Sequence, residues 1–153
     1  MGKYFMKKVF GHERGYSVCF RQHRARSHCS MLHGYALSFH IELSATALDA
    51  NGWVYDFGKF KEMKLYLERL FDHKLLVAFD DPQGDYIASL AGLDVADVVV
   101  LPGGTGCEAF ARMVFDEMQE LLHLSGEGHR VFVERVEVWE HPGNMAAYAR
   151  EQL

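Results

Sequence analysis

Five residues of this chain carry the chemistry that a sequence alone makes visible: Cys29, His33, the pair Asp72-His73, and Glu140. Cys29 and His33 lie four positions apart in Cys29-Ser-Met-Leu-His33-Gly34-Tyr35, which runs straight into the alternating stretch Tyr35 to Leu43. A thiol and an imidazole at the mouth of a strand are aimed at one spot from a rigid edge, and Gly34 lets the backbone turn sharply or approach a ligand closely. A free cysteine is most often a small buried hydrophobe, and Cys19 and Cys107 read that way. Cys29 differs, because Arg24, Arg26 and His28 precede it. Cationic surroundings lower a thiol pKa and make the thiolate available as a base or nucleophile. In Asp72-His73 a carboxylate can hold an imidazole and raise its basicity, which suits proton transfer near neutral pH. Glu140, in Val138-Trp139-Glu140-His141-Pro142, offers two oxygens to the paired N–H donors of a guanidine-like edge.

These groups need a scaffold, and the hydrophobic pattern supplies one. Tyr16, Val18 and Phe20 alternate with Ser17, Cys19 and Arg21, as in a strand with one buried face. The basic loop Arg21 to His28 follows. The next strand puts Tyr35, Leu37, Phe39, Ile41 and Leu43 on one face and Ala36, Ser38, His40, Glu42 and Ser44 on the other. The polar loop between them predicts an antiparallel pair. Asp49 to Gly52 reads as a turn, and Trp53 to Asp56 as a short extended piece. A helix is expected to start near Asp56 as N-cap, with Phe57, Phe60, Met63, Leu67 and Leu70 on one side. Phe71-Asp72-His73 closes it. Lys74 to Ala78 and Asp97 to Leu101 are strand candidates separated by the loop Asp80 to Gly84. Thr105-Gly-Cys-Glu108 has the form of a capping box. It opens a second helix whose apolar side carries Phe110, Met113, Val114, Met118, Leu121 and Leu122, and Ser125 to Gly128 ends it. The last strand expected is Val131 to Glu140, with a bulge near Glu134 where the apolar parity shifts. The fold class is α+β: an antiparallel sheet with two helices packed on one face.

Composition narrows the function classes. The chain of 153 residues reads as one domain, 1–153, with a sizeable core. Hydrophobic residues at 49% and charged residues at 24% are globular values. The net charge of −5 argues against a nucleic-acid partner, which favours basic proteins. Three cysteines without a C-x-x-C pair argue against a disulfide framework and a cysteine zinc knuckle. Free thiols fit a reducing compartment. The first residues hold no apolar run of signal-peptide length, and no stretch approaches a membrane span. The expectation is a cytoplasmic protein with no membrane partner.

The motif Cys29-x-x-x-His33-Gly34, followed by a strand, resembles the 6-pyruvoyl-tetrahydropterin synthase / 6-carboxytetrahydropterin synthase family. So does Gly52-Trp53-Val-Tyr-Asp56-Phe57, then a helix, then Leu70-Phe71-Asp72-His73-Lys-Leu-Leu76. The resemblance extends from Tyr16 to Glu140. It implies the tunnelling fold (T-fold), in which small subunits join edge to edge into a barrel as a homo-oligomer, trimer or hexamer, with active sites between subunits. It implies that Cys29 is the proton-abstracting base, Asp72-His73 the proton relay and Glu140 the pterin anchor. The small-molecule substrate would be a 7,8-dihydropterin with a polyhydroxy side chain, such as dihydroneopterin triphosphate, and the reaction a lyase cleavage of that side chain. The pathway served would be a deazapurine-nucleoside one (queuosine) or a biopterin one. The resemblance also implies Zn2+ held by three histidines, one at the end of the first strand and two in a His-Gly-His motif. Here Tyr35 stands at the last of these positions. His33 remains, and the first-strand ligand is His23 or His28, or both complete a set with His33. If phosphates are bound, Arg21, Arg24 and Arg26 are the place for them. The competing reading is a divergent protein that binds a pterin-like or purine-like heterocycle without the usual metal chemistry. A third is a structural oligomer subunit.

Overall fold

A computed structural model describes residues 2–151. Its axis is β3, His33–Ala45, the longest strand. Leu37, Phe39, Ile41 and Leu43 are fully buried on one side, as their alternation requires. Two strands share one edge of β3: β1, Tyr4–Phe10, pairs with its far half, and β2, Tyr16–Phe20, with its near half, both antiparallel. They are nearly one strand, interrupted by a turn at His12–Arg14 that ends on Gly15 at φ +70°. The opposite edge of β3 pairs with β6, Val131–His141, and β6 with β7, Asn144–Ala149. Beyond β2 come β4, Lys74–Ala78, and β5, Val98–Leu101.

The expected pairing of β2 with β3 is present, but the sheet is mixed rather than wholly antiparallel. β4 runs parallel to β2, and β5 parallel to β4. Parallel neighbours need a long crossover, usually helical. One is α1, Lys61–Phe71, between β3 and β4; the other holds the short α2, Gly84–Ala88, between β4 and β5. Leu75 to Ala78 are all buried, as a strand covered on both faces should be.

α1 and α3, Cys107–Leu124, pack on the same face of the sheet. Aromatic rings tie the layers: Phe71 lies 4.8 Å from Phe39 and 5.3 Å from Phe110, and Phe110 lies 5.2 Å from Phe20. Asp56 does cap, accepting the Gly58 N–H at 2.8 Å, but what it caps is a tight 3₁₀ turn, Phe57–Phe60. That turn has three residues per revolution, and Phe57 ends up exposed rather than in the core. Trp53 to Asp56 is a bend, not an extended piece, with the Asp49 carboxylate accepting the N–H groups of Asn51 and Trp53. The capping box at α3 does not form. Gly106, at φ +119°, is the N-cap, and the Thr105 hydroxyl instead donates to the carbonyl of Arg21 at 2.6 Å. The helix start is thereby tied to the end of β2. The bulge is present: Glu42 pairs with Arg135 and Leu43 with Val133, leaving Glu134 extra.

Candidate active site

The loop after β2 folds back on itself before β3 begins. Gln22 N–H donates to the Cys29 carbonyl at 2.9 Å, and Ala25 N–H to the Gln22 carbonyl at 2.9 Å. Ser27 caps a short turn, His28–Ser30, through its hydroxyl, which accepts the Cys29 N–H. These bonds hold Cys29, half-buried, on the wall of a cleft of about 720 Å³ shared with Gln22, His23, Arg24, Asp80 and Thr105.

Two of the three loop arginines are committed to carboxylates. Arg21 makes a fork to Asp81, Nε to Oδ2 at 2.7 Å and Nη2 to Oδ1 at 2.8 Å, and Nη1 donates to the Ser30 carbonyl at 2.9 Å. Such two-point pairing is the strong form of an ion pair. The Arg21 hydrogen bonds hold the Asp81 carboxyl below its usual range, against the opposing effect of burial. Arg24 pairs with Asp80. Phosphates would have to compete with Asp80 and Asp81 for these guanidiniums, and Arg26 is exposed.

The three candidate imidazoles have different surroundings. His33 opens β3, with Nδ1 2.7 Å from the Met31 carbonyl. A carbonyl only accepts, so Nδ1 donates here and Nε2 is the nitrogen turned away from the backbone, the arrangement of a ligating histidine. Its ring packs against Phe20 at 5.1 Å and edge-on to Tyr35 at 5.6 Å. His23 instead faces Asp80, Nε2 to Oδ1 at 3.8 Å. His28 is exposed in the turn beside Cys29. Among the described residues, no three His, Cys, Asp or Glu come together as a group that could hold a metal ion. The donor set as placed does not fit the family's three-ligand zinc centre.

Glu140 lies near the end of β6, in a second cleft of about 180 Å³ with Gln22, Cys107, Glu108 and Asn144. The Cys107 thiol donates to Glu140 Oε1 at 3.9 Å. Burial, reinforced by Glu140, pushes the Cys107 thiol up to about 12, so it stays protonated, consistent with a structural thiol. Tyr35 points into the same region. Burial raises its phenol, and the neighbouring Glu140 carboxylate, within hydrogen-bond reach of the hydroxyl, adds to the rise. Gln22 borders both clefts, so the Cys29 wall and the Glu140 wall adjoin. Sequence reasoning passed over Gln22 and gave Tyr35 no positive role. The one available signal was that Tyr35 shares a strand face with the site-side histidine two residues before it.

Asp72 and His73 do pair: His73 Nδ1 lies 2.6 Å from Asp72 Oδ1. His73 sits at φ +56°, in the left-handed region that side chains rarely adopt. The pair faces outwards, with side chains 41% and 83% exposed. It is remote from Cys29 within one chain. Lys74 is level with Val18, whereas the Cys29 carbonyl is bonded at Gln22, so the two are separated by roughly 13 Å of strand.

A mixed sheet and a helical layer on one face define an α+β protein. Several solved structures share the fold. An uncharacterized protein from Wolinella succinogenes superposes with TM-score 0.82 at 20% identity, covering 99% of this chain and 100% of that one. The 6-pyruvoyl tetrahydropterin synthase of Plasmodium falciparum gives TM-score 0.69 at 14% identity, covering 97% and 98%. A curated relative, the 6-carboxy-5,6,7,8-tetrahydropterin synthase of Aquifex aeolicus (strain VF5), is 23% identical over 164 aligned positions, 97% of this chain and 99% of its own. Residues 11–151 match the family described as 6-pyruvoyl tetrahydropterin synthase, and the chain belongs to that family. No helix among the described residues is long and apolar enough to cross a membrane.

Proposed function

We propose that this protein is a lyase acting on the side chain of a 7,8-dihydropterin, of the dihydroneopterin triphosphate type, at a site completed by a second subunit. Family membership supports the class of reaction. The observation that carries the residue assignment is the adjoining of two clefts at Gln22, one holding Cys29 and the other Glu140. A heterocycle whose N–H edge is paired to the Glu140 carboxylate directs its side chain along Gln22 towards the Cys29 sulfur. As thiolate, Cys29 takes a proton from a side-chain carbon next to an oxygen. The electron pair of the broken C–H bond forms a double bond to the neighbouring carbon, and the triphosphate on that carbon leaves with the pair of its broken C–O bond. Protons at the side-chain oxygens are handled by Asp72-His73.

That pair cannot serve the Cys29 of its own chain across the length of β2, so a neighbouring copy supplies it. The exposure of both side chains and the strained φ of His73 fit a group held out for a partner. The assembly is therefore a homo-oligomer, trimer or hexamer, in the cytoplasm. Zn2+ belongs to the reading by family alone. His33 is prepared for it, a complete donor set is not in place, and no step above depends on it.

A heterocycle-binding protein without turnover is the second reading. The observation favouring it is the unassembled three-donor group. One experiment separates the two: incubate the protein with dihydroneopterin triphosphate and follow the side chain by mass spectrometry. The lyase converts it, Cys29→Ala binds without converting, and Glu140→Gln loses binding. Tight binding with an intact side chain in every sample would leave the second reading standing and refute the first.

A further inference from the structure

The position where the family carries a third imidazole holds a phenol, and its surroundings suggest what that phenol does. Tyr35 and His33 alternate on β3, so both side chains leave the same face. The register Phe39 with Val138 and Ser38 with Trp139 brings Glu140 to the end of β3 where Tyr35 stands. Its ring is fixed by Phe20 at 6.3 Å and by His33 at 5.6 Å. Its hydroxyl stands beside Glu140, which takes its hydrogen bond in the free chain. A heterocycle that pairs with the Glu140 carboxylate would release this hydroxyl to a new acceptor, close to where Gln22 joins the two clefts. A phenol carries its proton at neutral pH and both donates and accepts one hydrogen bond readily.

We propose that Tyr35 binds substrate directly, donating its hydroxyl to an oxygen on the side chain of the bound heterocycle, at the place where a metal ligand would otherwise stand. The contact rests on the dihydropterin reading above and adds to it a specificity residue. A ring with a hydroxylated side chain is favoured over a bare ring, because only the former gives the phenol a partner. No covalent step is required of Tyr35.

The test compares two fluorescent probes, neopterin with its trihydroxypropyl chain and unsubstituted pterin. Binding is measured by titration in the presence of a chelator, so that no metal contributes. Wild-type protein should prefer neopterin. Tyr35→Phe, which removes one oxygen and keeps the ring packing, should weaken neopterin by about 3- to 10-fold, the range of one hydrogen bond, and leave pterin unchanged. Pterin binding then also reports that the variant is folded. If Tyr35→Phe binds both probes as wild type does while Glu140→Gln weakens both, the proposal is overturned and the pterin site stands. If Tyr35→Phe weakens both probes equally, the phenol acts through Glu140 and the proposed contact is wrong. If wild-type protein binds neither probe, the dihydropterin reading fails and the proposal with it.

Discussion

Removing the Arg21 guanidinium should cost stability that acid gives back. Asp81 has a side chain only 1% exposed, and its carboxylate is satisfied by the two-point fork from Arg21 and by the N–H of Gln83 at 2.8 Å. Arg21→Ala leaves that buried charge with the backbone donor alone. Breaking a buried pair by removing one partner costs about 3–5 kcal/mol; Arg21 is 22% exposed, so water repays part of this and about 3 kcal/mol is expected. The pH sign follows from Asp81. Its folded pKa is depressed, chiefly by the Arg21 hydrogen bonds, so the pair's contribution is fully present above the unfolded carboxyl value of about 3.9 and is lost as pH falls through the lower, folded value. Urea unfolding of wild type and Arg21→Ala at one protein concentration, at pH 7 and again at the lowest pH where both fold, reads the difference. The gap should narrow markedly in acid. A pH-independent gap, or none at pH 7, would refute the assignment of the stability to this pair. Because Arg21 also holds the Ser30 carbonyl beside Cys29, the variant should lose activity even where it remains folded.

Further outcomes follow from the same geometry. Gly106→Ala should lower the melting temperature, since φ +119° costs a side chain about 1–3 kcal/mol and the new methyl would sit 2.6 Å from Gln22 Nε2; an unchanged melt would refute the strain. Iodoacetamide should modify Cys29 well before Cys107 or Cys19 in native protein, as burial raises the latter two thiols and Cys29 faces an open cleft; peptide mass mapping reads the order, and first labelling at Cys107 would contradict it.

Much of the scaffold was legible because its signals are local. The faces of β2, β3, α1 and α3 follow hydrophobic period, and the bulge at Glu134 showed as a parity shift. β1 and β7 were not read. Tyr4 and Phe5 are exposed in a strand at the edge, and Asn144 to Ala149 is mostly small residues with little alternation. The parallel course of β4 and β5 was missed, although the unbroken apolar run Leu75 to Ala78 differs from the alternation of a one-faced strand. The capping box failed because Thr105 found a tertiary partner in Arg21, which no local motif announces. In the site, Cys29, Asp72, His73 and Glu140 were visible as residue types in order. That Gln22 joins two clefts, and that Asp72-His73 stands far from its own Cys29, are consequences of β2 pairing with β3 and β4 and can be seen only in three dimensions.

The central claim is a lyase site built from two copies of the chain, and subunit mixing tests it most directly. Cys29→Ala and His73→Ala proteins are each assayed for conversion of dihydroneopterin triphosphate, then unfolded together, refolded and assayed again. Each alone should be inactive, and the mixture should recover activity towards about a quarter of wild type, the share of sites that draw an intact Cys29 from one chain and an intact His73 from another in a randomly mixed ring. An inactive mixture in which mixed oligomers demonstrably form would contradict the account.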